Sequence, residues 1–253
     1  MTRLLFLCLL LLGGNAFAQG AEFFSISQVP NGKTLLLSTN DTVRLASIEA
    51  PNTEQKAEGI HPARPGEPLG EEAKAALAQL VAGHKVRIDY NPGERDRHNR
   101  LLGQVYDEQG RWLQGELLRQ GWAMVYSFSD DKHDVIVKML AAEHEAQAAK
   151  HGIWAHPYFR IITPEQAPEF INRFKLVEGK VVSVHDYHGH TYINFSEHWK
   201  GSFAVFISRK FADKFTALNL PSLVGKTIRV RGWINYHNAP MIDLSHPEQI
   251  ELQ

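Results

Sequence analysis

Only one cysteine, Cys8, occurs in these 253 residues, so no disulfide inside the chain can hold its fold together. Cys8 lies within the leading apolar run Leu4–Leu12. The body of the chain therefore has no Cys-ligated zinc or iron–sulfur centre and no thiol nucleophile. Stability must come from a hydrophobic core, and the composition supplies one: 43% of the residues are hydrophobic and 22% charged, the balance of a globular chain. The length fits one large domain or two of ordinary size. Lys and Arg number 27 against 28 Asp and Glu, a net charge of -1. That excludes proteins that hold phosphate by bulk positive charge, so a polyanion site must be a local patch.

The first residues read as a secretory signal over 1–18. Arg3 supplies the positive end, Leu4–Leu12 the apolar run, and Ala16-Phe17-Ala18 a cleavage site before Gln19. Nine apolar residues fall short of the roughly 20 that span a bilayer; a retained short anchor is the alternative. Cys8 lies upstream of the cleavage point, which argues against a lipid anchor. The expectation is an exported protein, periplasmic or extracellular in a bacterium, with no membrane insertion after signal cleavage.

Two halves follow. In the first, Thr34–Ser38 and Thr42–Ile48 flank Thr39-Asn40-Asp41 as a hairpin. A loop rich in Pro, Gly and charge runs from Pro51 to Leu69. Helical spacing of Ala73, Ala76, Leu77, Leu80 and Val81 predicts a helix over Gly70–Ala82, with Glu71 and Glu72 favourably placed in its first turn. Strands are expected at Lys85–Tyr90 and Leu101–Tyr106, and a short helix at Leu113–Gln120 ended by Gly121. A longer helix over Asp134–Lys150 carries Val137, Leu140, Ala141, His144 and Ala148 on one side, His144 reading as packed rather than ligating. This is an α+β arrangement, taken to span residues 22–155.

Pro157 to Pro168 holds three prolines and reads as a linker, 156–168. Beyond it, 169–253 turns to β: Lys175–Val184, Thr191–Phe195, Phe203–Ser208, Thr227–Ile234 and Met241–Leu252, with a short helix at Arg209–Leu218. Five strands with one inserted helix match an OB-like β-barrel, and other five-stranded barrels fit the count nearly as well.

Four blocks carry a resemblance: Thr42-Val-Arg-Leu-Ala-Ser-Ile-Glu-Ala-Pro51, Asp96-Arg-His-Asn-Arg-Leu-Leu-Gly-Gln-Val-Tyr106, Glu116-Leu-Leu-Arg-Gln-Gly-Trp122 and Glu145-Ala-Gln-Ala-Ala-Lys-His-Gly-Ile-Trp154. In that order and spacing the chain resembles the staphylococcal-nuclease-like (thermonuclease) family over roughly residues 23 to 155. The C-terminal half resembles extensions of some exported members. The resemblance implies a five-stranded OB-type barrel with three helices. It also implies a phosphodiester, in DNA or RNA, held by two arginines and one Ca²⁺, with a glutamate activating water. Guanidinium forks meet the charge that in-line attack builds on phosphorus, and a hard cation neutralises the rest.

Arg44 and Arg100 match the two arginines, and Glu49 matches a metal-binding carboxylate; all three become the catalytic candidates. The turn that carries the family's first metal aspartate reads Asn31-Gly32-Lys33-Thr34 here, so an ammonium stands where a ligand is expected, and a divalent cation is in doubt. Lys33, Arg44 and Arg100 become the phosphate-binding candidates, with Lys33 replacing part of the metal's charge. The general base falls at Asn52, an amide; Glu54 could stand in if the loop folds back. Losing a general base costs about 10²–10⁴ in rate, and losing the metal adds several kcal/mol. Activity of the family's kind is thus expected to fall by roughly four orders of magnitude.

His185-Asp186-Tyr187-His188-Gly189-His190 could bind Zn²⁺ or Ni²⁺, or form a solvated loop. Tyr187, Tyr192, Trp199, Phe203, Trp233 and Tyr236 lie among Lys200, Lys226, Arg229 and Arg231, as stacking platforms for single strands do and as ordinary barrel cores also do. Three functional readings stand: a phosphodiesterase, a catalytically inactive binder of nucleic acid or another phosphate-bearing ligand, and a structural or protein-interaction pair of barrels.

Overall fold

A computed structural model of the chain describes residues 22–57, 63–198 and 200–253. The secretory signal expected over 1–18 and the stacking candidate Trp199 lie outside the described residues. The architecture is mixed α+β. Its first half comprises β1 (Ile26–Asn31), β2 (Thr34–Leu37), β3 (Thr42–Leu45), β4 (Ile48–Glu49), α1 (Gly70–Val81), β5 (Val86–Arg95), β6 (Leu101–Asp107), α2 (Leu113–Arg119), β7 (Met124–Val125) and α3 (His133–Ala148).

Five of these strands form one sheet in the order β1-β2-β3-β6-β5, and β4 pairs with β7. β3 and β6 run parallel, with Val43 opposite Leu101 and Leu45 opposite Gly103. A bridge ties Phe24, just ahead of β1, to Val86 of β5, so the two ends of the strand order meet. The β2–β3 turn forms at Asn40, whose φ of 68° suits an asparagine. Leu35, Leu37, Val43, Leu45, Leu77, Val86, Val105, Leu113, Leu117 and Ile136 are fully buried in one core. α2 is tied to β6 by Gln114, whose Oε1 accepts from Val105 N at 3.0 Å while its Nε2 donates to Gly103 O at 2.9 Å. Gly121 ends the helix segment at φ 75°.

α3 presents a different face from the one its apolar spacing indicates. Ile136, Met139, Ala142, Glu143 and Ala146 are buried, whereas Val137 is exposed and His144 lies at the rim. The charged residue at the centre of the true inner face, Glu143, breaks the apolar stripe in the sequence. It is buried because it meets a buried arginine from the second half.

Residues 157–170 form short 3-10 helices at Pro157–Phe159 and Pro164–Phe170 that bury Phe159, Ile162 and Ala167. Next come β8 (Phe174–Lys180), β9 (Ser183–Tyr187), β10 (His190–Asn194), β11 (Ala204–Ile207), a 3-10 segment Arg209–Leu218, β12 (Thr227–Tyr236), β13 (Pro240–Leu244) and β14 (Ile250–Leu252). They form one seven-stranded sheet, two strands more than expected. The chain breaks pairing between β8 and β9, and a 3-10 turn at Pro247–Gln249 separates β13 from β14. A second core gathers Val177, Ile193, Val205, Phe215, Val230, Ile234 and Ile242. A third cluster, Met124, Ile153, Phe159, Phe174 and Leu176, joins the halves.

Candidate functional site

The Asn31-Gly32-Lys33 turn closes β1 onto β2, with Lys33 N donating to Asn31 Oδ1 at 3.1 Å. Gly32 is required by packing: a Cβ there would stand 2.8 Å from the Ala73 Cβ of α1, inside contact distance. The turn directs Lys33 inward, toward β4 and the loop after it. Its Nζ donates to Glu49 Oε1, to Ala50 O at 3.0 Å and to Asn52 Oδ1 at 2.9 Å. Burial pushes the Lys33 ammonium below its ordinary pKa, and the Glu49 charge opposes that shift.

Arg44 enters from β3, its side chain buried. Ser47, at φ 62°, doubles the chain back between β3 and β4. This places two carbonyls around the guanidinium: Nη1 donates to Leu45 O, and Nη2 donates to Ile48 O at 2.6 Å and to Glu49 Oε2 at 3.1 Å. Glu49 therefore gives one oxygen to Lys33 and the other to Arg44. A buried carboxylate between two cations has its charge balanced and each oxygen engaged by a donor.

Arg100 closes the turn before β6. Asp96 Oδ1 accepts from His98 N at 2.8 Å and Arg100 N at 3.0 Å, and Oδ2 accepts from Arg100 Nε at 2.8 Å. Burial works against the Asp96 carboxylate, but the Arg100 side-chain and backbone hydrogen bonds outweigh it and hold its pKa below the usual value. The Arg100 side chain is 32% exposed, and its charge acts on Arg44. Lys33, Arg44, Glu49 and Arg100 thus occupy one neighbourhood, with Arg100 its most accessible cation.

Three residues of this neighbourhood escape a reading of the sequence. Glu67 Oε2 accepts from Asn52 N at 2.9 Å and Asn52 Nδ2 at 2.7 Å, which leaves Asn52 Oδ1 for Lys33. Tyr158 donates its hydroxyl to Glu67 Oε1 at 3.0 Å. The carboxylate that the loop folds back is Glu67; Glu54 is exposed. Tyr126 lies beside Glu49 and Arg44, and burial, reinforced by the Glu49 charge, pushes its hydroxyl up to about 12. The Pro/Gly spacing of the loop gives no sign of which acidic residue returns.

The histidine cluster is spread along the β9–β10 hairpin. His185 pairs with Tyr192 and His190 with Tyr187, His190 stacks on Phe206 with centroids 5.3 Å apart, and its Nδ1 accepts from Arg209 N. Among the described residues no three His, Cys, Asp or Glu side chains gather to hold a metal. A cleft of about 1330 Å³ does open on this side, lined by Phe128, Tyr187, Tyr192, Phe206 and Met241; it excludes Lys33, Arg44, Glu49 and Arg100.

Residues 42–156 match the family described as Staphylococcal nuclease homologue. Residues 42–156 form a staphylococcal-nuclease-like domain. The chain is 31% identical over 173 residues to the "Probable endonuclease LCL3" of Verticillium alfalfae, covering 66% of this chain and 55% of that one. It is 30% identical over 135 residues to the "SPbeta prophage-derived endonuclease YokF" of Bacillus subtilis, covering 52% and 43%. The "Endonuclease YncB" of the same organism is 30% identical over 132 residues, covering 52% and 56%. The chain spans about half the length of these curated relatives.

The nuclease-like match takes in Arg44, Glu49 and Arg100 and begins after Lys33, which the β1–β2 turn brings to it. Ca²⁺, the ion the family resemblance implies, takes about six to eight oxygen ligands. The nuclease-like site offers Glu49 with both oxygens engaged by cations, and an ammonium in the middle of the remaining donors. These residues do not fit the metal. Among the described residues no helix is long and apolar enough to cross a membrane.

Proposed function

We propose that this protein is an exported, thermonuclease-like phosphodiesterase that hydrolyses DNA or RNA, with Arg44, Arg100 and Glu49 in catalytic roles, Arg100 contacting the phosphate, and Lys33 and Arg44 adding positive charge beside it. The observation that carries the reading is the pairing of Lys33 and Arg44 on one carboxylate, Glu49, with Arg100 held nearby on Asp96, within a domain whose relatives are named endonucleases. In-line attack of water on phosphorus piles negative charge on the equatorial oxygens, and a guanidinium fork such as Arg100 meets that charge bidentately. Glu49 holds Lys33 and Arg44 as a fixed pair of positive charges behind it. Asn52 cannot take the water's proton, so the chemistry runs without the family's base and is slow. Export rests on the Arg3–Ala18 leader. We read residues 22–155 and 169–253 as two OB-like barrels joined by 156–168, supported in the first by the Phe24–Val86 bridge.

The engaged state of Glu49 and the amide at Asn52 favour a second reading, in which the site grips nucleic acid without cutting it.

Labelled single-stranded DNA and RNA incubated with the protein and with Arg100→Ala test both. The first reading expects cutting that falls by about 10²-fold or more when Arg100 is removed. Undiminished cutting in the variant overturns the mechanism. Salt-sensitive retention of uncut strand, lost in the variant, selects the second reading.

A further inference from the structure

Three oxygens of different chemistry point at one atom: the Glu49 carboxylate, the Ala50 carbonyl and the Asn52 amide all accept from Lys33 Nζ. Carboxylate, main-chain carbonyl and side-chain amide are the donor types that hold hard cations. Each is fixed by something other than Lys33. Glu49 Oε2 is anchored by Arg44, Asn52 by Glu67, and the Ala50 carbonyl by the backbone between β4 and Pro51. None of these anchors runs through the ammonium.

We propose that Lys33 is the resident cation of this site, its tethered ammonium filling an oxygen cage that a divalent ion enters only when Lys33 is removed. The inference concerns which cation the cage holds and stands whether or not the protein cuts nucleic acid. A covalently attached cation is present at unit occupancy, so neither Ca²⁺ supply nor chelation changes the charge at this point. A divalent ion entering the intact cage would lie at contact distance from a like charge, an interaction costing several kcal/mol even at an effective dielectric of about 20. Aspartate at position 33 reverses this. It adds a carboxylate whose reach ends where the lysine Cδ lies, leaving the space of Cε and Nζ for an ion.

The test is calorimetric titration of Ca²⁺ into the full chain, wild type beside Lys33→Asp and Lys33→Asp/Glu49→Gln. Lys33→Asp is expected to bind Ca²⁺ about a hundredfold or more tighter than wild type, and the added Glu49→Gln change to abolish the gain. Equal affinity in wild type and Lys33→Asp, or no gain in a folded Lys33→Asp, overturns the proposal. Should Lys33→Asp not fold, ¹H–¹⁵N spectra of the wild-type lysine ammonium groups decide. A Lys33 signal unmoved by saturating Ca²⁺ supports the proposal, and its displacement overturns it.

Discussion

At the scale of single residues, the site is organised around shortage: one buried carboxylate, Glu49, balances two buried cations, and its neighbours are chosen to keep it there. Asn52 joins Lys33 on one side and Glu67 on the other, so Glu67 orients the amide. Glu67→Ala removes the acceptor for Asn52 and Tyr158 together. Leaving these donors unpaired is expected to cost about 1–3 kcal/mol of stability, read from urea unfolding. It should also weaken salt-sensitive retention of single-stranded DNA, which a purely structural role would leave unmoved. Unchanged retention would remove Glu67 from the site. Arg44, Glu49 and Arg100 can be proposed from the sequence because they lie in blocks that resemble the family, and Lys33 because its turn matches the one that carries the family's first metal aspartate. Glu67 cannot, because a loop of mixed charge brings it back and nothing local sets its direction.

At the scale of elements, the hairpin at Asn40, helix α1 and the Arg209–Leu218 segment form where turn chemistry and apolar spacing place them. Two kinds of element resist such reading. α3 hides its inner face because Glu143, at its centre, is buried by pairing with Arg231 Nη1 at 2.8 and 3.0 Å, a partner 88 residues away. The second half divides into seven strands because pairing is interrupted after Lys180 and at Pro247, breaks that hydrophobic pattern does not mark. The β1–β2 turn is the element on which the site depends most. Gly32→Ala forces a methyl against Ala73 and Ala50 and is expected to cost about 1–3 kcal/mol as overpacking. The shift in the turn also withdraws Lys33 from Glu49. A thermal midpoint equal to wild type would show that α1 yields instead.

At the scale of the whole molecule, α3 is where the halves lock. Arg231 sits fully buried between Glu143 and Glu251, and His144 Nε2 meets Glu251 Oε2 at 2.7 Å. The hydrogen bond to Glu251 raises the His144 pKa above its ordinary 6.5, with burial opposing. His144 therefore stabilises the fold fully below pH 6.5, and that contribution fades as pH rises through the raised value. Glu251 is opposed by burial, yet His144 and Arg231 hold it at about 2 against an ordinary 4.5. Its contribution is complete above pH 4.5 and is lost as pH falls toward about 2. Together they make this junction firmest between pH 4.5 and 6.5. Melting temperatures across pH should fall less steeply above 6.5 in His144→Ala than in wild type; parallel curves would contradict the assignment. The claim that joins all three scales is that the protein engages a phosphodiester with its own cations and no metal. The direct measurement is retention and cutting of a labelled single-stranded DNA, at low and moderate salt, in EDTA and in Ca²⁺. The account predicts the same behaviour in both, weakened by salt and by Arg100→Ala. Retention or cutting that appears with Ca²⁺ and vanishes in EDTA would contradict it.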